Sequence, residues 1–163
     1  MEQIPNISVA VTADCYQEAA DLIDSNAIAN GNGGLAWAAC INAALAVEIY
    51  LKSFLAKKEL TATGTGMNLV TQKAERGHDL FELYQKIDPS IQALIFTASQ
   101  DIDKSIELER LIKHCKDYFF YARYSYEKES LQCLNSDVVV LARHMKKLVR
   151  KVGETTHPKV VNL

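Results

Sequence analysis

Glycine and proline are scarce in this sequence, seven and three in 163 residues, and five of the glycines fall in two clusters, Gly31/Gly33/Gly34 and Gly64/Gly66. No stretch sustains the period-two alternation of a half-buried strand. A sheet is therefore not expected, and the pieces between the glycines read as helices. An excess of charge of one sign is also lacking. Eighteen Lys and Arg stand against twenty Asp and Glu, a net charge of −2. That excludes a histone-like or strongly polybasic nucleic-acid binder and leaves room only for a local basic face. The four cysteines, Cys15, Cys40, Cys115 and Cys133, form no CxxC pair. Met1 to Val11 has no basic start and no apolar run of the kind a secretory leader needs. The thiols are expected to be reduced, as small hydrophobes of a cytoplasmic protein. The longest apolar run, Leu35 to Leu51, is interrupted by Asn42 and Glu48. A span needs about 20 apolar residues, so the run reads as a core helix and no membrane partner is expected. None of the four histidines makes HxxxH or HExxH, and no P-loop, GxSxG or GxGxxG occurs. Neither a metal site nor a cofactor is expected.

What is present is one domain's worth of ordinary globular composition, 48% hydrophobic and 23% charged. The reading is a single helical domain over 1–163, with a core from about 12 to 152 and a loose tail, 153–163. The first helix is expected from Ala13 to Ala29, capped by Thr12. The second runs from Leu35 to about Lys58, apolar nearly all round and hence central. Glu59 to Arg76 reads as a long polar loop. A third helix starts near His78. Asp88-Pro89 reads as the cap and first residue of a fourth, ending near Ala98. Ser99 to Asp103 is a turn, a fifth helix covers Lys104 to Ala122, and a sixth, capped by Ser136, covers Asp137 to Val152. No internal repeat is visible.

Three groups of residues carry chemistry. Glu48 sits inside the apolar second helix, where a carboxylate needs a cation or strong donors. Lys52, four residues on, is in the favourable order for pairing. The segment YFFYARYSYE, Tyr118 to Glu127, holds six of the thirteen aromatic residues. An Arg among aromatic rings can stack a base or clamp a phosphate. The competing reading of that segment is core packing, with Arg123 paired to Glu48 or Glu127. The last helix carries Arg143, His144, Lys146, Lys147, Arg150 and Lys151 with no acid among them, which complements its C-terminal dipole or offers a phosphate-contacting face. The energetic need of Glu48 for a cation leads to the expectation that Glu48, Lys52, Arg123, Tyr124 and Glu127 meet in space, with His78 lining the same region. Arg110 and His114, one turn apart, read as an incidental pair on a solvated face.

Three strings in order, AALAVEIYLKSFL at Ala43–Leu55, GHDLFELYQKI at Gly77–Ile87 and RYSYE at Arg123–Glu127, resemble the HEPN domain, the higher eukaryotes and prokaryotes nucleotide-binding domain. The resemblance covers about Trp37 to Val149. It implies an all-α up-and-down bundle of five to six helices, a homodimer, and a role near RNA or nucleotides in toxin–antitoxin or defence modules. A nucleotidyltransferase or an antitoxin is an implied partner. Catalytic members resemble one another in an Arg followed four to six residues later by a His. Here Arg123 is followed by Glu127, Lys128, Glu129 and Ser130, with no His. The expectation is a binding module without catalysis. Its ligand residues are Glu48, Lys52, His78, Arg123, Tyr124, Tyr126 and Glu127. The alternatives are a metal-independent ribonuclease built on Arg123 and Glu127, and a pure interaction or antitoxin scaffold. A two-fold axis near Arg123 is expected to bring two aromatic clusters into one cleft.

Overall fold

The computed structural model describes residues 4–62, 68–73, 75–123 and 136–157, with side chains for all of these except 58–62, 68–72 and Arg123. The chain is an all-α helical bundle with one two-stranded ribbon. Helix α1, Ile7–Asn30, starts six residues before the expected Ala13. Asn6 rather than Thr12 is its cap: the Asn6 carboxamide accepts from the Val9 N–H at 3.3 Å, while the Thr12 hydroxyl donates back into the helix to the Ser8 carbonyl. The Asn6 N–H donates to the Ser53 carbonyl at 2.7 Å, which ties the start of α1 to the end of the next helix. Gly31, at φ +62, ends α1 in the left-handed conformation that suits a residue without Cβ. Asn32 then caps α2, Gly33–Leu55. The short link folds α1 back along α2.

By length and composition α2 is apolar enough to cross a membrane. Here Ala39, Ala43, Ala44, Ala46, Val47, Tyr50, Leu51 and Phe54 are buried in the bundle. It is the central helix, with the first, third, sixth and seventh helices packed on it. The expected extension to Lys58 does not occur. From Lys57 the chain enters strand β1, Lys57–Ala62, paired antiparallel with β2, Asn68–Lys73, in the register Lys57↔Lys73 to Ala62↔Asn68. Most of the segment expected as a loop is therefore a ribbon. The β-prone residues Thr61, Val70 and Thr71 on either side of Gly64 and Gly66 are the local signal for it.

Helix α3, Leu80–Gln85, is capped by Asp79, whose carboxylate accepts from the Phe81 and Glu82 N–H groups at 2.8 and 2.9 Å. His78 thus precedes the helix instead of opening it. Gly77, at φ +119, turns the chain just before it. Asp88 and Pro89 open α4, Pro89–Ile102, as expected, but α4 runs through the expected turn at Ser99 and stops only at Asp103. The expected fifth helix is two, α5, Leu108–His114, and α6, Tyr118–Arg123. The break is at Lys116, whose carbonyl accepts from the Leu80 N–H at 3.2 Å and so is lost to a continuous helix; the Phe120 N–H turns to Asp117 instead. Helix α7, Asp137–Thr156, starts at Ser136, whose side chain makes no capping bond. It continues through Gly153, which the sequence placed in a loose tail. Gly153 is buried where an added Cβ would lie 3.7–3.8 Å from Ile7 and Pro5, and the Thr156 hydroxyl donates to the Ile4 carbonyl. The two ends of the described chain are thereby packed together.

Candidate functional site

Glu48 is the centre of the candidate site. It lies mid-way along α2 and is 3% exposed, and both of its oxygens are engaged. The Lys52 ammonium, one turn on, donates to Oε1 at 2.7 Å. The His78 ring lies with Nδ1 3.0 Å from Oε2. A carboxylate paired with an ammonium is an acceptor, so Nδ1–H is the donor in that contact. The His78 side chain is 59% exposed, whereas that of Lys52 is 15% exposed. Lys52 has used one of its three donors on the carboxylate. The His78 ring also rests on Phe119 of α6, with centroids 5.5 Å apart and planes tilted by 35°.

Three of the expected residues therefore meet: Glu48, Lys52 and His78. Arg123 ends α6, one turn beyond Phe119, and α6 packs on α2. Tyr124, Tyr126 and Glu127 lie outside the described residues. The aromatic segment divides. Tyr118 and Phe119 are buried, while Phe120 is 51% exposed. The contact of Phe119 with His78 was not foreseen. The helix break at Lys116 that sets α6 on α2 depends on a tertiary hydrogen bond and leaves no local signal.

Four basic residues of α7, Arg143, Lys146, Arg150 and Lys151, pair with acids of the bundle. Arg143 donates to Asp21 and Asp24 at 2.6 and 2.9 Å, Lys146 to Glu18 at 3.1 Å and Arg150 to Asp14 at 2.6 Å. Lys151 pairs with Asp101 of α4 at 3.0 Å. These ion pairs favour the structural reading of the α7 cations over a phosphate-contacting face. The acids of α1, Asp14, Glu18, Asp21 and Asp24, are the partners that reading α7 alone misses. Asp14 also accepts from the Tyr50 hydroxyl at 2.7 Å. Burial, with that bond to Asp14, pushes the Tyr50 phenol far up from its ordinary value. His144 is buried, its Nε2 2.8 Å from the Ser99 hydroxyl. Burial lowers its pKa, opposed by Asp103 and aided by Lys147. Arg110 pairs with Glu107, and His114 with Asp137, on exposed surface.

Cavities open elsewhere. One of about 480 Å³ lies between α3, α4 and α5, against Tyr84, Phe96 and Leu108. Its charged residues balance, Glu107 and Glu109 against Arg110 and Lys113. Another, of about 560 Å³, flanks α5 at Arg110 and His114. Neither is lined by Glu48, Lys52 or His78. Among the described residues, no group of three or more His, Cys, Asp or Glu is placed to hold a metal. Comparison of the chain with family models, curated proteins and solved structures finds no match. What the fold and the site define by themselves is an all-α helical bundle in which a buried carboxylate organises a lysine and a half-exposed histidine.

Proposed function

We propose that this chain is a HEPN-like binding module that takes RNA or a nucleotide at the Glu48–Lys52–His78 site, with Arg123 and the segment after it completing the site. One observation carries the reading. A carboxylate almost removed from solvent uses both oxygens to hold a cation and an imidazole in fixed positions. Burying such a group is costly unless it is paired and hydrogen-bonded, as Glu48 is by Lys52 and His78. The donors left over on Lys52 and the exposed imidazole suit a phosphate, and Arg123, a further cation of the same segment, ends α6, which packs on α2. The sequence resemblance supports the same ligand class. It extends the reading to a cytoplasmic homodimer in a toxin–antitoxin or defence module, beside a nucleotidyltransferase or antitoxin. The exposure of Phe120, next to Arg123 on α6, favours pairing of two copies there.

The test is fluorescence anisotropy of a short labelled 2′-O-methyl RNA, titrated with the wild-type chain, Lys52→Met and Arg123→Ala. Binding should weaken by about tenfold or more in each variant, about 1.4 kcal/mol, and weaken as salt rises. Wild-type binding that neither variant changes would overturn the site. No binding at all would overturn the function.

A further inference from the structure

We infer that the cleft between α3, α4 and α5 binds a small aromatic zwitterion, an aromatic amino acid or a close analogue, with its ring on Phe96 and its two charges on Glu109 and Lys113. This second site is separate from the one at Glu48 and does not depend on it. The cleft follows from the packing. Helices α4 and α5 each pack on α7, and α5 also packs on α3, but α4 and α5 do not pack along each other. The space left between them, about 480 Å³, is of the size that small-molecule sites have. Tyr84 of α3 and Leu108 of α5, both buried, form its apolar wall. Phe96 of α4 faces the same space and is 61% exposed, although Ile95 and Ala98 beside it are buried in the core. An exposed aromatic ring on the wall of an apolar cleft is a surface that a second flat ring can cover, offset or edge to face. Gln100, one turn on from Phe96, adds a carboxamide to the same wall.

The charges select the ligand. Four charged side chains line the cleft, Glu107, Glu109, Arg110 and Lys113. Glu107 and Arg110 close on each other at 3.1 Å. Glu109 and Lys113 stand one helical turn apart, in the order that favours an ion pair. Among the described residues neither forms one: Lys113 lies over the Phe81 ring, 5.5 Å from its centroid. Burial raises the pKa of the Tyr84 phenol and the Glu109 charge adds to it, so that carboxylate lies toward the Tyr84 wall. An acid and a base that line one apolar-walled cleft without being used on each other complement a ligand with one charge of each sign. A polyanion would meet two acids there, and an uncharged apolar ligand would strip water from both charges without replacing it. An aromatic amino acid answers each group: its ammonium pairs with Glu109, its carboxylate with Lys113, and its ring covers Phe96.

The experiment titrates the nitrogen-15-labelled full chain with L-tryptophan, with tryptamine, which lacks the carboxylate, and with indole-3-propionate, which lacks the ammonium. L-Tryptophan should shift the amide signals of α4 and α5 saturably, with a Kd at or below about 1 mM. Each analogue should bind about tenfold more weakly. Phe96→Ala, Glu109→Gln and Lys113→Met change exposed side chains and should each weaken L-tryptophan by about tenfold. Lys113→Met should leave tryptamine binding as it was, and Glu109→Gln should do the same for indole-3-propionate, whereas a loss of structure would weaken both ligands together. No saturable shift with L-tryptophan, shifts confined to another part of the bundle, an analogue that binds as tightly as L-tryptophan, or binding that Lys113→Met does not change would each overturn the inference. None of these outcomes bears on RNA binding at Glu48, which its own titration decides.

Discussion

Replacing Glu48 by alanine tests whether the buried carboxylate organises its neighbours. The change removes the acceptor of Lys52 at 2.7 Å and of His78 at 3.0 Å, and Lys52 is left only 15% exposed with no partner among the described residues. Breaking a fully buried pair costs about 3–5 kcal/mol. Lys52 can extend its ammonium toward water, and alanine is the better helix former by a few tenths of a kcal/mol. The net loss should be about 2–3 kcal/mol. In a domain of this size each kcal/mol moves the melting midpoint by about 2–4 °C, so the midpoint should fall by roughly 5–10 °C. The assay is thermal and urea unfolding of Glu48→Ala beside Glu75→Ala, whose carboxylate pairs with Lys86 at 2.8 Å on open surface and should leave the midpoint unmoved. In a double-mutant cycle with Lys52→Met, the two changes should couple by about 1 kcal/mol or more. A Glu48→Ala midpoint equal to that of Glu75→Ala, or strict additivity in the cycle, would refute the reasoning.

Tyr50→Phe removes the hydroxyl that donates to Asp14 at 2.7 Å from a residue with no exposure, and should cost about 1–2 kcal/mol in urea unfolding. Gly153→Ala should stabilise by about 0.5–1 kcal/mol, because the position is helical and the new Cβ meets Ile7 and Pro5 at ordinary contact distance; a lower midpoint would mean the approach of α7 to Pro5 is closer than described. Burial lowers the pKa of His144, so the unfolded chain binds the extra proton more readily. Stability should therefore be full above the unfolded value, near 6.5, and fall as pH drops below it. His144→Gln should flatten that part of the profile measured in urea between neutral and mildly acid pH. Of the three described cysteines, exposed Cys15 should react first with a thiol reagent, while Cys40 and Cys115 wait for unfolding.

The helices were legible where local chemistry decides them. The Asp88-Pro89 start of α4 and the apolar wall of α2 need only their own residues. Boundaries set by tertiary bonds were not. Asn6 caps α1 while its own N–H is held by Ser53, and the Lys116 carbonyl is drawn off by Leu80, so the helix from Lys104 splits. In the candidate site, Glu48 and Lys52 could be paired from spacing alone. His78 could only be suspected, because thirty residues and a ribbon separate it from Glu48. The α7 cations looked available because their α1 partners lie more than a hundred residues away.

The central claim is that Glu48 holds His78 by Nδ1 at a site that takes RNA. Nitrogen-15-labelled histidine in the full chain reads both halves at once. Two-bond proton–nitrogen spectra should show His78 with its Nδ1 proton held in the contact with Glu48, a signature lost in Glu48→Gln. Addition of the 2′-O-methyl RNA should move the His78 ring signals and leave those of buried His144 in place. A His78 protonated on Nε2 alone, or RNA that binds without moving the His78 signals, would contradict the account.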